Sequence, residues 1–155
     1  MPGLHNFSTH IVVDESHVWI ANTLNNNVLK VDRMTLETTT IIPPSDFTPY
    51  PYEITVDDQF FYINSDNFVN NVFVKTLYKM DKLSHALLSI VPIGSNTLKS
   101  MTMDEDSVWI TSSMADTYLV YRIDKETLTV TSINVGNSPN GIATDKDSVW
   151  VVNRN

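Results

Sequence analysis

The sequence predicts an all-β fold of β-propeller type. It would hold three four-stranded blades and the first two strands of a fourth, in a partial or oligomer-completed toroid. Three observations carry this. An Asp stands five residues before an aromatic in four places: Asp14 and Trp19, Asp57 and Tyr62, Asp104 and Trp109, Asp145 and Trp150. A second marker follows the first three: Lys30-Val-Asp-Arg-Met-Thr35, Lys79-Met-Asp-Lys-Leu-Ser84 and Arg122-Ile-Asp-Lys-Glu-Thr127. No window shows a sustained 3.6-residue apolar period with caps, so almost no helix is expected.

The key Asp residues are spaced 43 (14 to 57), 47 (57 to 104) and 41 (104 to 145) apart. Two markers in fixed order at such a period point to a repeat architecture, and four short strands per period to propeller blades. The units run approximately over residues 8–43, 51–94, 97–136 and, incomplete, 139–155 of a single repeat domain. In the third, strands are expected near 98–103, 107–112, 117–124 and 129–135. Tyr118, Val120, Tyr121 and Ile123, then Val130, Ile133 and Val135, supply the β-branched and aromatic side chains that fit a pleated sheet. Asp-rich or Gly/Asn/Pro-rich turns separate them.

The phrases themselves resemble a known group. Pro139-Asn-Gly-Ile-Ala-Thr-Asp145, the strands Tyr62-Ile-Asn-Ser65 and Trp150-Val-Val-Asn153, Ile123-Asp-Lys-Glu-Thr127 and Val135-Gly136 look like the units of YVTN/NHL/virginiamycin-B-lyase propellers, along essentially the whole chain. The resemblance implies the fold and leaves the function open, because that group spans scaffolds, surface proteins and a few lyases. Its lyases use a histidine near the central channel with a magnesium ion, and none of His5, His10, His17 and His85 maps onto that motif. Three and a half blades would leave a bare ribbon and an open face, both aggregation hazards. The expectation is therefore a homo-oligomer or a fragment of a longer propeller.

Composition narrows the partner. The chain has 155 residues with 10 Lys+Arg against 18 Asp+Glu, a net charge of −8. That argues against a nucleic-acid partner, which selects basic patches. There are no cysteines, which removes disulfides, thiolate metal sites and cysteine nucleophiles. The first repeat begins about ten residues after Met1, so no signal peptide is expected in the sequence as it stands, and the compartment stays open. No apolar run approaches the ~20 residues of a membrane-spanning helix. No cofactor and no metal site is expected. The acidic pairs (Asp14-Glu15, Asp57-Asp58, Asp104-Glu105-Asp106, Asp145 with Asp147) lack the twelve-residue calcium-loop pattern and read as hairpin turns.

The repeated aromatics are expected to fill the wedge between neighbouring sheets. Asp32, Asp81 and Asp124 are expected to accept backbone N–H bonds in tight turns. No catalytic residue is assigned. Gly136-Asn-Ser-Pro-Asn-Gly141 has the outline of a serine elbow with the wrong spacing and no following helix. The units differ instead in the loops on the face opposite the Asp-rich turns: Thr23-Leu-Asn-Asn-Asn27, Asp66-Asn-Phe-Val-Asn-Asn71, Ser113-Met-Ala-Asp116 and the proline-stiffened 43–52. Loops on a rigid frame are where function concentrates. Phe47, Tyr50, Tyr52, Phe68 and Tyr118 would suit a peptide or sugar surface. The expected function is a non-enzymatic binding or assembly module for a protein or glycan partner, one version being part of a viral or cell-surface assembly. The alternative is a lyase- or hydrolase-type enzyme with a metal-assisted site in the channel.

Overall fold

The computed structural model describes residues 10–43, 50–69, 72–94, 97–114 and 117–154. Among these the regular structure is antiparallel strand, with a single-turn 3-10 segment at Thr23–Asn25 and no α-helix. The chain divides into two compact units, Met1–Pro92 and Ile93–Asn155.

In the first unit β1 (His10–Val13), β2 (His17–Asn22), β3 (Asn27–Asp32) and β4 (Thr38–Ile41) pair in chain order as one meander. A second sheet repeats the order with β5 (Tyr50–Val56), β6 (Phe60–Val69), β7 (Val72–Asp81) and β8 (Leu87–Gly94), whose last two residues fall past the boundary. Period-2 alternation makes the core. Trp19, Ala21, Val28 and Ile41 share one face of the first sheet, packed against Ile54, Phe61, Ile63, Tyr78 and Met80 of the second. The rings of Trp19 and Phe61 lie 5.1 Å apart at 32°. His10 Nδ1 lies 3.1 Å from the Ile54 carbonyl, and the Thr23 hydroxyl donates to the Pro51 carbonyl, so polar bonds also join the two sheets.

The second unit holds β9 (Thr97–Met103), β10 (Ser107–Met114), β11 (Thr117–Asp124) and β12 (Val130–Asn134) as a third four-stranded sheet. These agree with the expected strands to within two residues. The hairpin β13 (Pro139–Thr144) and β14 (Val149–Asn153) lies on that sheet, where the Thr144 hydroxyl donates to the Met103 carbonyl at 2.7 Å. Gly136, after β12, meets the hairpin closely: a Cβ there would collide with the Asn153 side-chain amide.

Two expectations change. Residues 66–71 were expected as a loop, yet β6 runs to Val69 and β7 starts at Val72, with Asp66 facing Lys75 and Asn67 facing Val74 in register. The ladder satisfies backbone groups that an Asn-rich loop would leave to water. Likewise Tyr50 and Tyr52 belong to strand β5, with Tyr50 opposite Asp66. The wedge expected around the repeated aromatics also holds unevenly. Trp19 is fully buried and Tyr62 nearly so, whereas Trp150 is 62 % exposed. Trp109 is half-buried.

Candidate functional site

At one end of the sheets the two markers assemble into a single clamp. Each first-turn Asp accepts two backbone amides on Oδ1: Ser16 and His17 on Asp14 at 2.8 and 2.6 Å, and Gln59 and Phe60 on Asp57 at 2.9 and 2.7 Å. Asp106 and Ser107 bond Asp104 at 3.0 and 2.7 Å, and Asp147 and Ser148 bond Asp145 at 2.9 and 2.8 Å. Where the aromatic is tryptophan, its indole N–H donates to Oδ2 of the same carboxylate: Trp19 to Asp14 at 2.9 Å, Trp109 to Asp104 at 2.7 Å, Trp150 to Asp145 at 2.8 Å. The five-residue spacing is thus the reach from a turn carboxylate to an indole on the strand it starts.

The second marker completes the clamp. Its first cation lies over the aromatic it faces across the strand pair: Lys30 over Trp19 at 5.0 Å, Arg122 over Trp109 at 5.6 Å. In the second sheet Lys79 lies 4.1 Å over Phe60 and 6.0 Å over Tyr62. Its second cation donates to the carbonyl of the first-turn Asp: Arg33 to Asp14 at 3.0 Å, Lys82 to Asp57 at 2.7 Å, Lys125 to Asp104 at 3.2 Å. Its Asp accepts two amides, for example Met34 and Thr35 on Asp32, both at 2.8 Å. The expected turn chemistry is therefore present.

Electrostatics follow from this geometry. Burial alone would raise the Asp14 carboxyl, but the Trp19 indole, Lys82 and the His17 and Ser16 amides outweigh it and hold the group well below the usual carboxylate range. The Trp150 indole and the Asp147 and Ser148 amides hold Asp145 down in the same way. A cleft of about 580 Å³ opens at this end of the first unit, lined by Lys30, Asp58, Gln59, Phe60, Asp81, Lys82 and Leu83. Its cations are already committed, Lys30 to the Trp19 ring and Lys82 to Asp14 at 3.0 Å.

The other end differs between sheets. In three of the four, a β-bulge interrupts the pairing of the first and second strands, at Pro51/Glu53, Thr111/Ser112 and Pro139/Gly141. Such bulges re-aim side chains near functional sites. In the second sheet the bulged residue is Tyr52. Its hydroxyl donates to Asp66 Oδ2 at 3.1 Å, Lys75 pairs with the same carboxylate, and the Lys75 ammonium lies 5.7 Å from the Tyr52 ring. Burial, reinforced by the Asp66 charge, raises the Tyr52 phenol, so it stays a neutral donor. Tyr50, beside it, is 41 % exposed.

Glu53 follows the bulge. Its Oε2 accepts from Asn64 Nδ2 at 3.2 Å, and its own amide donates to Asn64 Oδ1 at 3.1 Å. Burial pushes its carboxyl up to about 8, against the Asn64 bond that lowers it. The matching positions in the other units are His10, Ser100 and Gly141, four residues before each key Asp. Burial lowers His10.

Of the five aromatics expected to bind, Tyr50 and Tyr52 sit together. Tyr118 is half-buried on β11 of the second unit. Phe68 lies on β6 with its side chain outside the described residues, and Phe47 falls outside them altogether. Asp66, Lys75, Glu53 and Asn64 were missed from sequence. Glu53 had a signal, since only the second unit has a carboxylate there. Asp66 and Lys75 face each other only once residues 66–69 pair with 72–75.

No protein-family model and no curated protein matches the chain. Among solved structures it is similar to the extracellular domain of what is described as a one-component system from B. thetaiotaomicron. That likeness has a TM-score of 0.66 at 18 % identity, over 96 % of this chain and 20 % of that one. The chain therefore spans about a fifth of this neighbour's length, and at such identity the likeness is one of fold. A second structure, Kuenenia stuttgartiensis hydrazine synthase, aligns at a TM-score of 0.49 and 12 % identity over 93 % of this chain and 60 % of that one. Among the described residues no helix is long and apolar enough to cross a membrane.

Proposed function

We propose that the chain is a β-propeller-type repeat module, of the kind its YVTN/NHL-like phrases suggest, that binds a protein or glycan without catalysis. The sheets would be its blades, and the binding end the one opposite the clamps. The observation that carries this reading is an exposed aromatic, Tyr50, at the end that differs between sheets. At the clamped end the turn carboxylates and cations are engaged in the fold's own bonds. At the other end Tyr52, Asp66 and Lys75 bond one another and are largely covered, while Tyr50 beside them is 41 % exposed and offers an aromatic face for stacking.

The test is to probe arrays of immobilised glycans and peptides with the labelled chain. A ligand that binds the wild type should bind Tyr50→Ala at least about tenfold more weakly, with the unfolding midpoint unchanged. Full binding by Tyr50→Ala, or no binding on either array, would count against the reading.

One observation favours a second reading, a lyase- or hydrolase-type enzyme with a metal-assisted site in the propeller channel. A carboxyl pushed up to about 8 is protonated at neutral pH and has the form of a general acid. Turnover of a cyclic depsipeptide or glycoside that disappears in Glu53→Gln would put this reading first.

A further inference from the structure

The packing of the first two sheets shows how sheets of this chain recognise each other. One contributes a face centred on the clasped Trp19, with Ala21 beside it. The other contributes Ile54, Val56, Phe61 and Ile63, backed by Tyr78 and Met80 across the strand pair. The repeat supplies each half a second time, there only partly buried.

The hairpin β13–β14 has Trp150 and Val152 where β2 has Trp19 and Ala21, and these are 62 % and 67 % exposed. The other face of the first sheet has Ile11, Val13, Val18 and Ile20 where the second has Ile54, Val56, Phe61 and Ile63. Leu29 and Val31 back them across the strand pair, as Tyr78 and Met80 do. Ile11 and Val13 are 57 % and 56 % exposed. The indole of Trp150 is already fixed by Asp145, so it would lose little freedom on docking.

We infer that these two faces bind each other between copies. The Trp150 face of one copy packs on the Ile11, Val13, Val18 and Ile20 face of another, as Trp19 packs on Phe61. A second copy is the occupant because every copy carries both halves of a contact the fold already makes internally. The inference rests on the sheet-stacking part of the proposed function and is independent of the binding end.

The contact is head-to-tail, so it does not limit itself to a pair and gives rings or filaments. The hairpin has two strands where the first sheet has four, which makes the contact smaller than the internal one and dependent on concentration. With a net charge of −8 per copy, added salt screens the repulsion and should strengthen association.

Light scattering on the 155-residue chain over a concentration series tests this. The mass should exceed the monomer's, rise with concentration and rise further with salt. Trp150→Asp, Val152→Asp and Ile11→Asp should each reduce it with circular dichroism unchanged. Trp150→Asp mixed with Ile11→Asp leaves one intact contact per pair, so the mixture should stop at a heterodimer. A wild type that stays monomeric throughout, as it would if the faces met within one chain, overturns the inference. So does unchanged association in both Trp150→Asp and Val152→Asp. If the stacking reading itself were wrong, the sign would be different: Trp19→Ala would leave the fold's stability intact.

Discussion

The two ends of the sheets are built by opposite rules. At the clamped end every sheet uses an Asp that takes two backbone amides, and three of the four add an indole on the same carboxylate. At the other end the equivalent positions hold His10, Glu53, Ser100 and Gly141, and the second sheet alone adds a long hairpin bearing Asp66 and Lys75. The difference separates what makes a sheet from what distinguishes one sheet from the next. The clasp is local in sequence and forms equally on buried and exposed strands, at 2.9 Å for Trp19 and 2.8 Å for Trp150. Burial comes second, when a neighbouring sheet covers the ring. A repeat that folds by local bonds at one end can vary freely at the other.

Trp19→Ala should break that arrangement with the largest effect. It removes a fully buried ring together with the clasp, a loss of ~3–5 kcal/mol on the scale of aromatic truncations in cores. Trp150→Ala removes the same clasp from a ring that is 62 % exposed and should cost clearly less than Trp19→Ala, because little apolar burial is lost with it. Urea unfolding of dilute protein measures both. Equal losses at the two sites would mean that the clasp, and not the covering sheet, sets the stability.

The next effect belongs to the variable end. Glu53 has a folded pKa of about 8 against an unfolded carboxyl near the ordinary value, so the native state binds the extra proton between these limits. Stability from this group therefore falls as pH rises from the ordinary carboxylate pKa through about 8. At pH 7 the penalty is on the order of 3 kcal/mol. Glu53→Gln keeps an acceptor for the Asn64 amide and removes the charge. It should be more stable than wild type at pH 8, with the advantage vanishing near pH 4. His10 and His85, both lowered chiefly by burial, act in the opposite sense and lose stability as pH falls below their unfolded pKa. The difference between variant and wild type, measured by urea unfolding across pH, isolates Glu53. A flat difference would contradict its partly buried, protonated state.

Most of the clamped end was legible in the sequence, and the variable end was not. The strand at 117–124 could be placed to the residue because its β-branched and aromatic side chains and its terminal Asp are local signals. Asp32 could be assigned to turn chemistry for the same reason. The indole bond escaped notice although its spacing was visible, since a five-residue interval means nothing until a turn folds the strand back over its own carboxylate. Residues 66–71 read as a loop because Asn and Asp dominate them, and only pairing with 72–75 makes 66–69 strand. The raised pKa of Glu53 depends on burial, which no local pattern encodes. Trp150 was expected to be covered because its neighbours in the repeat are, and its exposure is a tertiary fact.

The smallest effect concerns the one sheet that departs from its own clamp. Tyr62 stands where the others have tryptophan, and its hydroxyl is buried without a hydrogen-bond partner among the described residues. A tyrosine carries its donor at the far tip of the ring, whereas an indole carries it on the side that faces the turn, so Tyr62 fills the space without making the clasp. Leaving a buried hydroxyl unpaired costs about 1–3 kcal/mol in desolvation. Tyr62→Phe removes that cost and keeps the ring, so it should leave stability unchanged or raise it by about 1 kcal/mol, read as a higher urea midpoint at constant slope. A clear loss would show that the hydroxyl does have a partner in solution, and would make the second sheet's clamp a bonded one like the others.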